Sequence, residues 1–90
     1  MAVTVEIPAP LREATEGQTA VVVTGETVAA ALADLIRRYP LLESKLFQNG
    51  QLRPYINVFV NDEDIRYLEE LQTPVADGTT IVLIPAVAGG

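Results

Sequence analysis

The sequence predicts an α+β fold, a mixed sheet of four to five strands with one main helix packed across it. Three observations predict it. Apolar residues alternate with polar ones at Val3, Val5 and Ile7 and again at Ile56, Val58 and Val60, the period of strands with one buried face. Between them, Val28, Ala31, Leu32, Leu35, Ile36 and Tyr39 keep the spacing of one helical face. Near the end, Ile81-Val82-Leu83-Ile84 is apolar at every position, as in a strand inside a sheet.

The first strand ends at Pro8 and Pro10, because proline donates no amide to a ladder. Leu11 to Gly17 reads as a polar connection, and the β-branched run Val21-Val22-Val23 places a second strand over Gln18 to Thr24, antiparallel to the first. Gly25 breaks that strand. Thr27 is placed to cap the helix by accepting from an unpaired amide of its first turn, and Pro40 closes the helix at Tyr39. Leu41, Leu42, Leu46 and Phe47 predict a short helical turn before Asn49-Gly50. The third strand spans Tyr55 to Asn61, Asn61 to Asp64 forms a polar turn, and Ile65 to Leu71 holds a short edge strand. Asp77-Gly78 then turns the chain into the last strand, Thr79 to Ile84.

Ninety residues suit one domain, 1–90, whose residues 85–90 form a flexible C-terminal tail. With 49% hydrophobic and 20% charged residues, the chain has the composition of a folded globule rather than of a disordered segment. Six basic residues against twelve acidic ones give a net charge of -6, which repels phosphate backbones and anionic lipid heads. Nucleic acid and membrane surfaces are therefore excluded as partners, and a basic protein face is favoured. There is no Cys and no His, which removes thiolate nucleophiles, the usual zinc ligands and a histidine base. No apolar run approaches the ~18 residues of a membrane span, and the cytoplasm is the expected location.

Strand, strand, helix, strand, short strand, strand is the element order of a β-grasp sheet. Three stretches sharpen this order: Ile56-Asn57-Val58-Phe59-Val60-Asn61-Asp62-Glu63-Asp64-Ile65-Arg66, then Ala76-Asp77-Gly78, then Ile84-Pro85-Ala86-Val87-Ala88-Gly89-Gly90. Through them the chain resembles the sulfur-carrier branch of the ubiquitin-like proteins, the MoaD/ThiS family, and most closely its CysO-like members of cysteine biosynthesis. The resemblance implies a protein that is modified and does not itself catalyse. An E1-like adenylyltransferase/sulfurtransferase would consume ATP to adenylate the carboxylate of Gly90. A sulfur donor would then displace AMP, and the thiocarboxylate would deliver sulfide to a PLP-dependent cysteine synthase. The alternatives it leaves open are a molybdopterin synthase large subunit as acceptor, or protein conjugation as a ubiquitin-like modifier. No cofactor is bound by the chain on any of these readings. The tail lacks the arginines that precede the diglycine of ubiquitin.

A steric argument supports the tail independently of the resemblance. A carboxylate that must enter two narrow active sites cannot carry bulky neighbours, and Gly89 and Gly90 give that backbone access. Val87 and Ala88 complete the segment that threads a partner, and Pro85 stops the last strand and sets the tail's direction. Extended, Pro85 to Gly90 spans about 20 Å. Phe59, Tyr55 and Ile84 are candidates for an exposed patch on the sheet face away from the helix, where a partner would dock. Asp62, Glu63 and Asp64 lack the glycine of a calcium loop, since Tyr67 stands in its place, and read as a solvated turn. Together with Asp34, Glu69 and Glu70 they would present acid to a basic partner, while Arg37, Arg38 and Arg66 read as solvated decoration.

Overall fold

The computed structural model describes residues 1–86. Its main sheet has five strands: β1 (Ala2–Glu6), β2 (Ala20–Thr24), β5 (Ile56–Val60), β6 (Glu63–Asp64) and β7 (Thr80–Pro85). They lie in the order β2-β1-β7-β5-β6. β1 pairs antiparallel with β2 and parallel with β7, and β7 pairs antiparallel with β5. The all-apolar last strand is thus the central one, as its composition requires.

Alternation along each strand sends one set of side chains inward. Val3, Val5, Val21, Val23, Ile56, Val58, Val60, Ile81 and Leu83 are all buried. The helix α1 (Val28–Arg38) covers them with Val28, Ala31, Leu32 and Leu35, each fully buried. Thr27 caps this helix, its hydroxyl accepting from the Ala30 amide at 3.1 Å. A second, short helix, α2 (Leu42–Leu46), adds Leu42 and Leu46 to the core. Asn49 and Gly50, both at positive φ, then turn the chain between β3 (Phe47–Gln48) and β4 (Gln51–Leu52). An Asn-Gly pair suits this turn because neither residue is much penalised in the left-handed region.

Four local expectations are corrected. The Leu11 to Gly17 connection is a 3-10 helix over Ala9–Thr15 that buries Leu11, Ala14 and Thr15. The edge strand is Glu63–Asp64, ahead of its expected place, and two 3-10 turns, Ile65–Tyr67 and Glu70–Gln72, occupy the stretch that followed. Pro85 does not stop β7 but is its last residue, paired with Ile56. Its missing amide leaves the ladder unharmed, since the next amide, that of Ala86, donates to the Tyr55 carbonyl at 2.6 Å. Lastly, Asp34 is not a surface acid: it is buried under its own helix, where it accepts from the Thr24 amide at 2.9 Å and from Arg37 and Arg38. One carboxylate therefore ties the end of β2 to α1.

Gly25 makes this junction possible. A Cβ there would lie 2.5 Å from the Ala31 nitrogen and 2.9 Å from the Ala31 Cα, both backbone atoms that cannot move aside without shifting the helix. Gly25→Ala should therefore destabilise the fold by about 1–3 kcal/mol, the usual cost of overpacking. Thermal denaturation by circular dichroism should show a midpoint lowered by about 5–20 °C.

The same junction responds to acid. The Thr24 amide, followed by Arg37, holds the Asp34 carboxyl down at about 2, below the ordinary 3.8. A depressed pKa contributes stability above the unfolded value, and that contribution is lost as pH falls through the folded one. The thermal midpoint should accordingly drop between about pH 4 and pH 2, and Asp34→Asn, lower in midpoint at neutral pH, should flatten that slope.

Candidate functional site

The end of β7 and the sheet face opposite α1 carry the candidate site. Val82 and Ile84 alternate with the buried Ile81 and Leu83, so they stand on the outer face. Register places Phe59 directly beside Val82, and Asn57 beside Ile84. Phe59, Val82 and Ile84 thus form an apolar stripe, with Ile84 44% exposed at its end. Glu6, the partner of Val82 in β1, borders it on one side.

On the other side, Asp64 pairs with Phe59 across β5 and β6. Asp64 is not part of a solvated turn: it is buried, caps the next 3-10 turn through the Arg66 amide, and accepts from the Arg66 guanidinium at 2.8 Å. Arg66 Nη2 also donates to the Asn57 side-chain oxygen at 2.7 Å. Arg66 is therefore a fixed polar border of the stripe. Its hydrogen bonds lower the Asp64 carboxyl, and the carboxylate in turn raises the guanidinium. Among the described residues no cluster of His, Cys, Asp or Glu could hold a metal ion.

Of the residues picked from sequence, Phe59 and Ile84 come together on the outer face. Tyr55 stands one residue before β5, at the end of the sheet, where its carbonyl receives the Ala86 amide. There it borders a groove of about 510 Å³ with Pro10, Leu11, Ser44, Lys45, Arg53 and Pro85. Val87, Ala88, Gly89 and Gly90 lie outside the described residues. Sequence reading missed Val82, although alternation within the last strand puts it on the face of Ile84. It also missed the Asn57–Arg66–Asp64 border, which depends on a pairing register that no single strand encodes.

The comparisons with known proteins agree with this geometry. The model of the ThiS family matches residues 5–90. The sulfur carrier protein CysO of Mycobacterium tuberculosis is 42% identical over a 93-residue alignment covering all of both chains. A chain of the Amycolatopsis orientalis BexX/CysO complex superposes with a TM-score of 0.92 at 43% identity, covering 99% of this chain and 100% of that one. The small archaeal modifier protein 1 of Methanosarcina acetivorans superposes with a TM-score of 0.88 at 35% identity, over 99% of this chain and 96% of that one. The mixed sheet with its crossing helix is thus a β-grasp fold of the ubiquitin-like kind.

The border residue offers a direct test of the site's electrostatics. Arg66→Ala should raise the titration midpoint of Asp64 towards the ordinary carboxylate value, because the guanidinium is lost while the backbone amide at position 66 still donates to the carboxylate. Carboxyl-carbon NMR titration would register the upward move, while the Asp34 midpoint should stay where it is.

Proposed function

The chain belongs to the ThiS family, and we propose that within it this protein works as a sulfur carrier of the CysO type. The observation that carries the reading is that the family match runs to the last residue, so it includes Gly89 and Gly90. On this reading the Gly90 carboxylate is the reacting group. One of its oxygens attacks the α-phosphorus of ATP in the site of an E1-like adenylyltransferase/sulfurtransferase, and pyrophosphate leaves. Sulfur from the donor then attacks the acyl carbon, the C–O bond to AMP breaks, and a thiocarboxylate remains.

The domain's part in this chemistry is presentation. Val87, Ala88 and Gly89 thread the partner's site, their small or absent side chains leaving the acyl carbon open to attack. The stripe of Phe59, Val82 and Ile84 serves as the docking face, with an apolar centre and the polar border that interfaces favour. A PLP-dependent cysteine synthase is the acceptor we favour, because the relatives at 42% identity are CysO proteins. A molybdopterin synthase large subunit would use the same thiocarboxylate. We place these ATP-dependent steps in the cytoplasm.

A second reading has its own support. The likeness to a small archaeal modifier protein at 35% identity favours a role in which the activated carboxylate is passed to lysines of other proteins. The two readings share the adenylate and part at the nucleophile.

Intact-mass measurement after incubation with the activating enzyme, ATP and a sulfur donor should show one oxygen of the carrier replaced by sulfur. Deleting Gly90 should abolish that product. Ile84→Asp should slow its formation about tenfold, the effect of losing about 1.4 kcal/mol of docking. An unchanged mass for the wild-type chain, with an enzyme active on another carrier, would overturn the proposal.

A further inference from the structure

The two edges of the main sheet are unlike. β6, at one edge, is two residues long and carries Glu63 and Asp64, the short and charged form that keeps an edge from pairing further. β2, at the other, is Ala20-Val21-Val22-Val23-Thr24, five residues without a charge or a proline and in unbroken register with β1. Its Val22 is 60% exposed. An edge of this kind is a template for another strand.

Register decides which backbone groups that edge offers. The Ile7 amide donates to the Thr19 carbonyl at 2.9 Å, and the Gly25 amide to the Met1 carbonyl at 3.2 Å. With Val3 beside Val23 and Val5 beside Val21, the odd-numbered residues of β2 therefore bond to β1, and Ala20, Val22 and Thr24 turn their amides and carbonyls outward. The Thr24 amide already has the Asp34 carboxylate at 2.9 Å. In the other direction the next such amide, that of Gln18, donates to the Thr15 carbonyl at 3.1 Å. Between them lie the amides and carbonyls of Ala20 and Val22, which no hydrogen bond among the described residues uses.

We infer that β2 is a self-association edge, on which a second copy of this chain adds its own β2 antiparallel. The inference does not depend on the carrier reading. The open groups are self-complementary: a two-fold axis at Val21 sets Ala20 of each copy beside Val22 of the other, and each such pair exchanges two N–H···O bonds. Every open group of Ala20 and Val22 then has a partner, and pairing stops where the Thr24 and Gln18 amides are already taken. Val22 packs across the pair on Ala20, which withdraws its exposed side chain from water. Charge fits the same register. Arg37 and Arg38, exposed and bonded to the carboxylate that holds the Thr24 amide, come to the end where the other copy places Gln18 and, two residues earlier, the exposed Glu16. A peptide of one charge sign would match one end of the edge and oppose the other. The five strands become ten in one sheet, with the two β7 strands antiparallel and about 24 Å apart. Both Phe59–Val82–Ile84 stripes stay uncovered on one face, and the two Ala86 residues lie at opposite ends of the sheet.

Sedimentation equilibrium of the full chain tests this. The weight-average mass should climb from one chain towards two between about 10 μM and about 1 mM, the weak range of a small interface. Over the same range amide exchange at Ala20 and Val22 should slow, while exchange in β6 stays unchanged. Ala20→Pro removes one donor from each pair at the first residue of a strand, where proline is tolerated, and should weaken association by about tenfold or more. Val22→Lys keeps the backbone and sets two like charges on the paired face, and should weaken it as much. Far-UV circular dichroism identifies a variant that has not folded, and Val22→Lys decides where Ala20→Pro is one. A single-chain mass up to about 1 mM would overturn the inference. So would a dimer whose Ala20 and Val22 amides exchange as fast as in the monomer, or one that Val22→Lys leaves at wild-type strength.

Discussion

The parallel ladder between β1 and β7 is the constraint on which the rest depends. It sets Val5 beside Ile81, so nearly the whole chain lies in the loop that it closes. Closing a longer loop costs only logarithmically more, but the cost comes before any contact forms, and burial must offset it. Val5 and Ile81 are both fully buried, and the strands on either side of the pair extend the same apolar layer under α1. Parallel neighbours also need a crossover, and α1 supplies one that covers the sheet as it passes. The geometric result is that β7 begins beside the start of β1 and delivers its own end to the opposite edge, near α2.

How much of this could be read from the residues varies with the kind of signal. Strand and helix periods are local, so β1, β2, β5, β7 and α1 were legible, as was the Thr27 cap. Asp34 was not, because helical spacing says that a position lies off the apolar stripe without saying which strand lies against it. The Thr24 amide, distant in sequence from Asp34, decides its role. The 3-10 helix at Ala9–Thr15 was hidden for a related reason: two prolines signal the end of a strand, and Leu11 and Ala14 at a spacing of three are too few to register a period. Tyr55, Phe59 and Ile84 were grouped by exposure expected from alternation. Pairing register then supplied Val82 as the neighbour of Phe59 and placed Tyr55 at the end of the sheet.

Charge is divided between two tasks. Asp34 and Asp64 are buried and hold arginines in place, one fastening α1 to β2 and the other edging the apolar stripe. The remaining ten of the twelve acids are exposed. The arginines held by the buried pair, Arg37, Arg38 and Arg66, stay exposed, and the ten exposed acids still outnumber the six basic residues of the chain. An acidic surface around an apolar stripe steers basic partners towards that stripe and speeds encounter, while the apolar contact sets how long they stay.

On the proposed reading, the position of Ile84 would couple docking to reaction. It closes the apolar stripe, and only Pro85 separates it from Ala86, whose amide makes the last described hydrogen bond of the sheet. A long flexible linker would let a docked partner's active site lie anywhere within a broad radius. On that reading the anchor is the Ala86 amide, and a site that takes Gly90, four residues on in the sequence, would open within about 14 Å of it. A partner seated on Phe59, Val82 and Ile84 would meet that requirement through covalent geometry alone. On the proposed reading, central placement of β7 thus sets both where a partner would sit and how far its site could be.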